Sequence, residues 1–418
     1  MFWPCALQWI SVFFFIANTS ANTVHVPRAT CSIIPSLNGS DDAPAILSAF
    51  KTCGKGGTIV FQNHTYTINS IMNTTGLSNC NIEIHGTLLW STNITYWLNH
   101  SMPLGYQNQS TVWYLGGDNI KVDGFGYGTL DGNGQAWYDF VKGISNYPNR
   151  PQALAIYKTT NSVFQGLRFV QSQMWTMTVL KSDGVLLQNI YVNSTSSSGS
   201  PARNTDGADT IYSNNIHFDQ WTVVNGDDSI SLKANSTNIL ITNSTFYNGL
   251  GVAIGSIGQY KGVWETIENV TASHITFYKT LHGGYVKTWT GEQSSNPFMT
   301  DRLTMRNRCE KHHIRELLIP FSPWSTILHH PMHNVFRDFR QLLIVCIRTN
   351  PSTVSISDIN IVNITGSMTN PIASYSCSAV APCKNITMEN LTLKANDGTA
   401  ATGYKCTNVQ GTVGFACS

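Results

Sequence analysis

Short runs of β-branched and aromatic residues, each opening on Asn or Asp, recur along this chain. They include NSVFQGLRFV from Asn161, DGVLLQNIYV from Asp183, NNIHFDQWTV from Asn214, NILITNSTF from Asn238 and NVTASHITF from Asn269. The same texture returns at VSISDINIVNIT from Val354 and KNITMENLTL from Lys384. Start-to-start spacing is about 22 to 32 residues, and no helical pattern separates the runs. Strands that short at that period, without two-residue hairpin turns between them, predict an all-β solenoid, a parallel β-helix. Its coils would stack at about 4.8 Å. The competing β-sandwich would show more Asn-Gly loops between alternating runs.

A solenoid end exposes its core unless something covers it. The stretch NGSDDAPAILSAFKTC predicts a short amino-terminal capping helix. Asp41 or Asp42 caps it, Pro44 suits its first turn, and Ile46, Leu47 and Phe50 line one face.

Charged residues make up 11% of the 418, against roughly 25% in an average globular protein. The net charge of +2 creates no strong field, which argues against nucleic-acid binding and docking on acidic membranes. The apolar stretch Phe2–Ala17 lies at the amino terminus and is short for a bilayer, so residues 1–21 read as a signal peptide. No later run suggests a membrane span. Thirteen Asn-x-Ser/Thr sequons follow: Asn38, Asn63, Asn73, Asn93, Asn99, Asn108, Asn193, Asn235, Asn243, Asn269, Asn363, Asn385 and Asn390. That density fits a secreted glycoprotein. Cys377/Cys383 and Cys406/Cys417 are placed for local disulfides and Cys31/Cys53 for closing the cap, which leaves Cys80, Cys309 and Cys346 unassigned. No CxxC pair or His/Cys cluster has zinc-ligand spacing, so no metal and no cofactor are expected.

The chemistry concentrates between Asn204 and Lys287. Asn204-Thr205-Asp206 ends a polar turn, and Gly226-Asp227-Asp228 follows one coil later. Next come the glycine-rich Gly249-Leu250-Gly251 through Gly255-Ser256 and then Tyr285-Val286-Lys287. Adjacent coils would gather Asp206, Asp227 and Asp228 on one face. Like charges packed that closely raise at least one pKa, setting a proton donor beside a base. Glycosidic hydrolysis needs that pair: one carboxylic acid protonates the leaving oxygen while another carboxylate activates water. With coils about 4.8 Å apart and a sideways offset, acid and base are expected about 6.5 to 9.5 Å apart, the spacing of an inverting enzyme.

The ordered series NTD, DD, GxG…GSIG and xxK resembles glycoside hydrolase family 28, the polygalacturonase family, and above all its fungal exo-acting members. Further likenesses are DDAPAI, Asp131-Gly-Asn-Gly134 leading to Trp137, Gln173-Met174-Trp175, GLGVAIGSIGQYKG and GYVKTWTGE. The resemblance covers about residues 24–295 and resumes near 354–418. It implies a right-handed, pectin-lyase-like solenoid. Asp227 would be the general acid, and Asp206 and Asp228 would polarise the attacking water. Lys287 would bind a substrate carboxylate, and Asn204 would orient its neighbours. Tyr285, Gly251 and Ser256 join them as substrate-binding positions. Leu250 stands where most members carry a histidine, and Tyr285 where they carry an arginine. Both departures favour an exo-acting or rhamnogalacturonan-directed enzyme.

From about 297 to 350 the solenoid texture disappears. Seven of the eleven arginines lie between Arg302 and Arg348, five of the twelve histidines between His312 and His333, and no glycine occurs from Glu292 to Thr365. The segment reads as translated non-coding sequence such as a retained intron, or else a surface insertion. A transcript encoding it intact would contradict the first reading.

The expectation is therefore a secreted, monomeric β-helix over 22–418 acting on pectic polysaccharide, polygalacturonate or rhamnogalacturonan, with no nucleic-acid or membrane partner. It would release α-1,4-linked galacturonate from chain ends with inversion. The alternatives are an exo-rhamnogalacturonan hydrolase or α-L-rhamnosidase of the same family, or an impaired solenoid that only binds pectin. A calcium-dependent pectate lyase is the rival class, disfavoured because the lyase motif is absent.

Overall fold

The computed structural model describes residues 28–260, 263, 265–289 and 354–418, together with the backbone of three strands at Thr304–Arg306, Asn334–Phe339 and Gln341–Ile347. The signal-peptide reading of 1–21 lies outside these residues, as does most of the reading of 297–350.

Strand follows strand around a solenoid, and nearly every pairing is parallel between successive coils. The strands at Asp183–Gln188, Asn214–Asp219, Ser236–Thr242 and Thr266–Ser273 stack in register, with Val185, Ile216, Ile239 and Val270 in one file. Val185, Ile216 and Ile239 are buried, and alternate residues face outward. The apolar files fill the coil interior, as expected for a parallel β-helix.

The Asn at or next to the start of most of these runs has a physical reason. Asn161, Asn215, Asn238, Asn269 and Asn385 all adopt left-handed backbone, which turns the coil and which Asn tolerates better than β-branched residues. Their side chains also bond the previous coil. Asn161 Nδ2 donates to Asp118 at 3.0 Å, Asn215 to Asp183 at 2.8 Å, Asn238 to Asn214 at 2.8 Å and Asn269 to Asn238 at 3.0 Å.

The capping helix forms at Ala43–Cys53 and buries Ala43, Ile46, Phe50 and Cys53 against the first coils. Asp42 holds the N-cap position, but its side chain makes no bond to its own helix. Its carboxylate instead accepts from the Ser36 and Thr67 amides, and Asp41 accepts from the Ala43 amide. All three expected disulfides form: Cys31–Cys53, Cys377–Cys383 and Cys406–Cys417. Cys80 is a buried free thiol, whereas Cys309 and Cys346 lie outside the residues whose side chains are described.

Two excursions leave the coils. Residues 101–111 form a strap in which Met102–Pro103 pairs antiparallel with Ser110–Thr111, and Ser110–Thr111 pairs parallel with Pro151–Gln152. After the helix Gly134–Val141, residues 142–150 form a loop.

Candidate active site

Four successive strands of one sheet, at Ala208–Ile211, Asp228–Leu232, Gly251–Ile257 and His282–Thr288, position the motif residues: Asp206 and Asp227 just precede the first two, Asp228 and Gly251 open the second and third, and Ser256, Tyr285 and Lys287 lie within the last two. Their register sets Asp209, Ser231, Ala253 and Tyr285 in one file. Because the turns before these strands stack as the strands do, Asp206, Asp227 and Asp228 converge. One oxygen from each lies within 4.8 Å of the others. The expected separation of 6.5 to 9.5 Å is therefore too wide.

Each acid is held differently. Asp227 Oδ2 accepts from the Asn204 amide at 3.0 Å, and its Oδ1 from the Asp228 amide at 3.0 Å. Burial, then the neighbouring Asp228, raises the Asp227 pKa against the pull of Lys287 and these two amides. Asp228 is fully buried. Its Oδ2 takes an ion pair from Lys287 Nζ at 2.7 Å, and its Oδ1 accepts from the Tyr285 hydroxyl. Asp206 is also buried, with Oδ1 lacking any partner. Burial, then Asp227, Asp209 and Asp228, lifts its pKa well above the carboxylate range. The cluster therefore retains a proton to higher pH than separate carboxyls would, and that proton belongs to the group as a whole. Four of the six carboxylate oxygens each accept a protein donor.

The turn beneath this cluster is stitched by Asn225, whose Nδ2 donates to the Thr205 carbonyl at 2.8 Å and the Asp228 carbonyl at 2.7 Å. Gly251 has a packing reason: φ is +91°, and a Cβ there would run into the carbonyl oxygen of His282 on the next coil. Ser256 offers its carbonyl to Gln107 Nε2 of the strap at 3.2 Å. Asn204 is buried, and its Oδ1 accepts from the Asn146 amide at 2.8 Å and Ser145 Oγ at 3.3 Å. Tyr285, expected as a substrate-binding position, is buried with its hydroxyl on Asp228. Burial and then Asp228 hold that phenol protonated. For Lys287, burial opposes the charge, but Asp228 and Asp206 outweigh it and keep the ammonium.

Four further residues were not singled out in the sequence. Asp209, three after Asp206, pairs with the buried Lys233 at 3.1 Å, and Lys233 lies 4.7 Å from the Trp175 ring centroid. Burial, opposed chiefly by Lys233, pushes the Asp209 carboxyl up to about 7. His282 packs its ring 4.9 Å from Tyr285, and burial pushes it down to about 4, so it is neutral near pH 7. Arg150, 1% exposed, donates from Nε to the Gln173 carbonyl at 2.5 Å and from Nη1 to the Arg203 carbonyl at 3.0 Å. A buried guanidinium from residue 150 has no signature in the run NRPQAL.

The strap and the 142–150 loop meet beside these acids. Gln109 Nε2 lies 3.4 Å from Asn146 Oδ1, and Ser101 Oγ donates to the Asn149 carbonyl at 3.2 Å. On its far side the strap reaches across: the Gln107 amide donates to the Tyr260 hydroxyl at 2.6 Å, and Tyr106 packs edge-on to Tyr212 and Tyr260.

The sequence model of Glycosyl hydrolases family 28 matches residues 63–296. An α-L-rhamnosidase, rgxB, of Aspergillus niger is 48% identical over 403 residues, spanning 94% of this chain and 90% of its own length. A putative galacturan 1,4-alpha-galacturonidase A of Aspergillus niger is 34% identical, spanning 94% of both chains. In structure, the endo-xylogalacturonan hydrolase from Aspergillus tubingensis superposes with a TM-score of 0.76 at 23% identity, over 93% of this chain and 99% of its own. A β-helix, converging buried carboxylates and these relatives agree: the chain belongs to glycosyl hydrolase family 28.

Proposed function

We propose that this glycoside hydrolase acts on pectic polysaccharide from chain ends, removing one terminal sugar at a time with inversion. Asp227 serves as the general acid, and Asp206 and Asp228 jointly activate water. Asn204 fixes the acid, Lys287 and Tyr285 hold Asp228, Gly251 lets the coils close up, and Ser256 anchors the strap. The observation that carries chain-end action is the junction of strap and loop at Gln109–Asn146 and Ser101–Asn149 beside the acids. On this reading the junction walls off one side of the acids, so that a terminus and not the middle of a chain reaches them.

The close carboxylates suit a water held by two of them. A water bonded to two acceptors at 2.8 Å and a tetrahedral angle spans about 4.6 Å, and the nearest carboxylate oxygens lie within 4.8 Å of one another. Asp206 has an unpartnered oxygen for it, and each oxygen of Asp228 keeps a second lone pair.

The terminal sugar read here is neutral, an α-L-rhamnosyl unit of rhamnogalacturonan. Recognising a terminal uronate calls for a cation, and among the described residues Lys287 is engaged by Asp228, Lys233 by Asp209 and Arg150 by two carbonyls, while the remaining cation beside Asn204, Arg203, is exposed. The relative named an α-L-rhamnosidase points the same way. Galacturonosyl release is the second reading, because 28% of the Lys287 side chain is exposed.

Residues 22–418 are read as one catalytic β-helix behind an export signal at 1–21, secreted and monomeric. The three disulfides support an oxidising destination. Chromatography of early products tests this function: monosaccharide from the first minutes with slowly falling viscosity is expected, and mixed oligomers would overturn chain-end action. Loss of activity in a chelator, or an ultraviolet-absorbing unsaturated product, would overturn hydrolysis in favour of a lyase.

A further inference from the structure

Arg150 is buried at considerable expense. Taking a guanidinium out of water costs several kcal/mol unless something compensates it. Among the described residues no carboxylate pairs with it and Nη2 has no hydrogen-bond partner, and the Tyr138 ring centroid is 6.0 Å away. Its two bonds go to main-chain carbonyls on consecutive coils, those of Gln173 and Arg203.

The second carbonyl matters because of the peptide it belongs to. The Arg203 carbonyl and the Asn204 amide form one planar unit. Its oxygen accepts from Arg150 Nη1 at 3.0 Å, and its N–H donates to Asp227 Oδ2 at 3.0 Å. A cation on the oxygen withdraws electron density across the amide, strengthening the N–H as a donor, as linked hydrogen bonds polarise one another. It also fixes the plane of the peptide, and with it the direction from which Asp227 is held. The same loop grips the next side chain, through Ser145 and Asn146 on Asn204 Oδ1.

We propose that Arg150 is a positioning residue for Asp227, acting through the single peptide unit between Arg203 and Asn204. This rests on reading Asp227 as the acid. Removing the charge and the polarisation disfavours ionised Asp227. The other groups around Asp227 are Asp206, Asp209 and Lys233 on the neighbouring strands, Asp228 beside it, and His282, Tyr285 and Lys287 on the following coil; Tyr138 faces Arg150. All of them stay in place when Arg150 alone is replaced.

The test titrates the aspartate carboxyls by carbon-13 NMR in protein labelled at the aspartate Cγ, with Asp227→Asn identifying the Asp227 signal. In Arg150→Gln the Asp227 titration should move up by about one pH unit, for a unit charge acting over about 8 Å at an effective dielectric near 20 and partly screened. In active enzyme the alkaline limb of kcat should move with it while kcat at the optimum falls. Arg150→Lys keeps the charge but not the two-carbonyl fork, so the titration should stay near the wild-type value while kcat falls. An unmoved Asp227 signal in Arg150→Gln overturns the proposal. Should that variant not fold, Arg150→Lys with wild-type kcat overturns it. A wild type without activity would count against the proposed function, while the NMR titration still decides the role of Arg150.

Discussion

Replacing Asp227 with Asn should disable the enzyme in a way that depends on the leaving group. General acid catalysis contributes about 10²- to 10⁴-fold, so turnover of a rhamnogalacturonan oligomer should fall at least 100-fold. The change is not structurally silent. Both carboxylate oxygens accept main-chain N–H groups, from Asn204 and Asp228. An asparagine satisfies one with its carbonyl and turns its NH2 toward the other, leaving a buried donor unmet at a cost of about 1 to 3 kcal/mol of stability. A melting point a few degrees lower is therefore expected alongside the kinetic loss. The decisive assay compares the oligomer with an aryl α-L-rhamnoside whose phenolate departs without protonation. Asp227→Asn should lose far less on the aryl substrate, whereas Asp206→Asn, which impairs water activation, should lose equally on both. Retention of more than a tenth of oligomer activity would refute the assignment. So would the rescue appearing in Asp206→Asn instead, a real alternative given the unpartnered, strongly raised Asp206.

Cutting the strap's tether with the double change Gln107→Gly and Tyr260→Phe should let internal linkages in, raising early oligomer products and the rate of viscosity loss; an unchanged product pattern would remove the strap from chain-end selection. Lys287→Met strips Asp228 of its cation and should cost about 3 kcal/mol, the low end for a buried pair because the lysine is partly exposed. Because Lys287 holds the Asp227 carboxyl down, the alkaline limb of kcat should move to higher pH, and an unmoved limb contradicts this reading. Stability should fall as pH rises from about 4 to about 7. Folded Asp209 holds its proton up to about 7 while the unfolded carboxyl releases it near 4, so the native state binds more protons across that window. Asp209→Asn should flatten the slope of melting temperature against pH, and an unaltered slope would exclude Asp209 as its source.

The fold was legible because its signal is local and repeated. Each coil needs a left-handed corner and a side chain that bonds the coil below, and Asn161, Asn215 and Asn238 advertise both. The three acids were legible because stacking converts a spacing of one coil into proximity. What the sequence concealed depends on contacts that bear no period. Gln107 and Tyr260 meet across 153 residues, and Arg150 reaches Arg203 across 53. Asp209 and Lys233 look like ordinary strand residues until the register faces them toward each other. The carboxylate gap was misjudged because nothing in the spacing shows that the nearest oxygens of the three acids turn toward one another. Leu250 and Tyr285 were visible as departures from the family pattern. That Tyr285 is committed to Asp228 required coordinates.

The measurement closest to the central claim is proton NMR of the first turnovers on rhamnose-terminated rhamnogalacturonan oligomers and on oligogalacturonides side by side. Free rhamnose should appear from the first spectra, initially as the β-anomer from its α-linkage, with little galacturonate from the second substrate. Initial α-anomer would contradict inversion by a water held between Asp206 and Asp228, and galacturonate release from oligogalacturonides without rhamnose release would contradict a neutral terminal sugar.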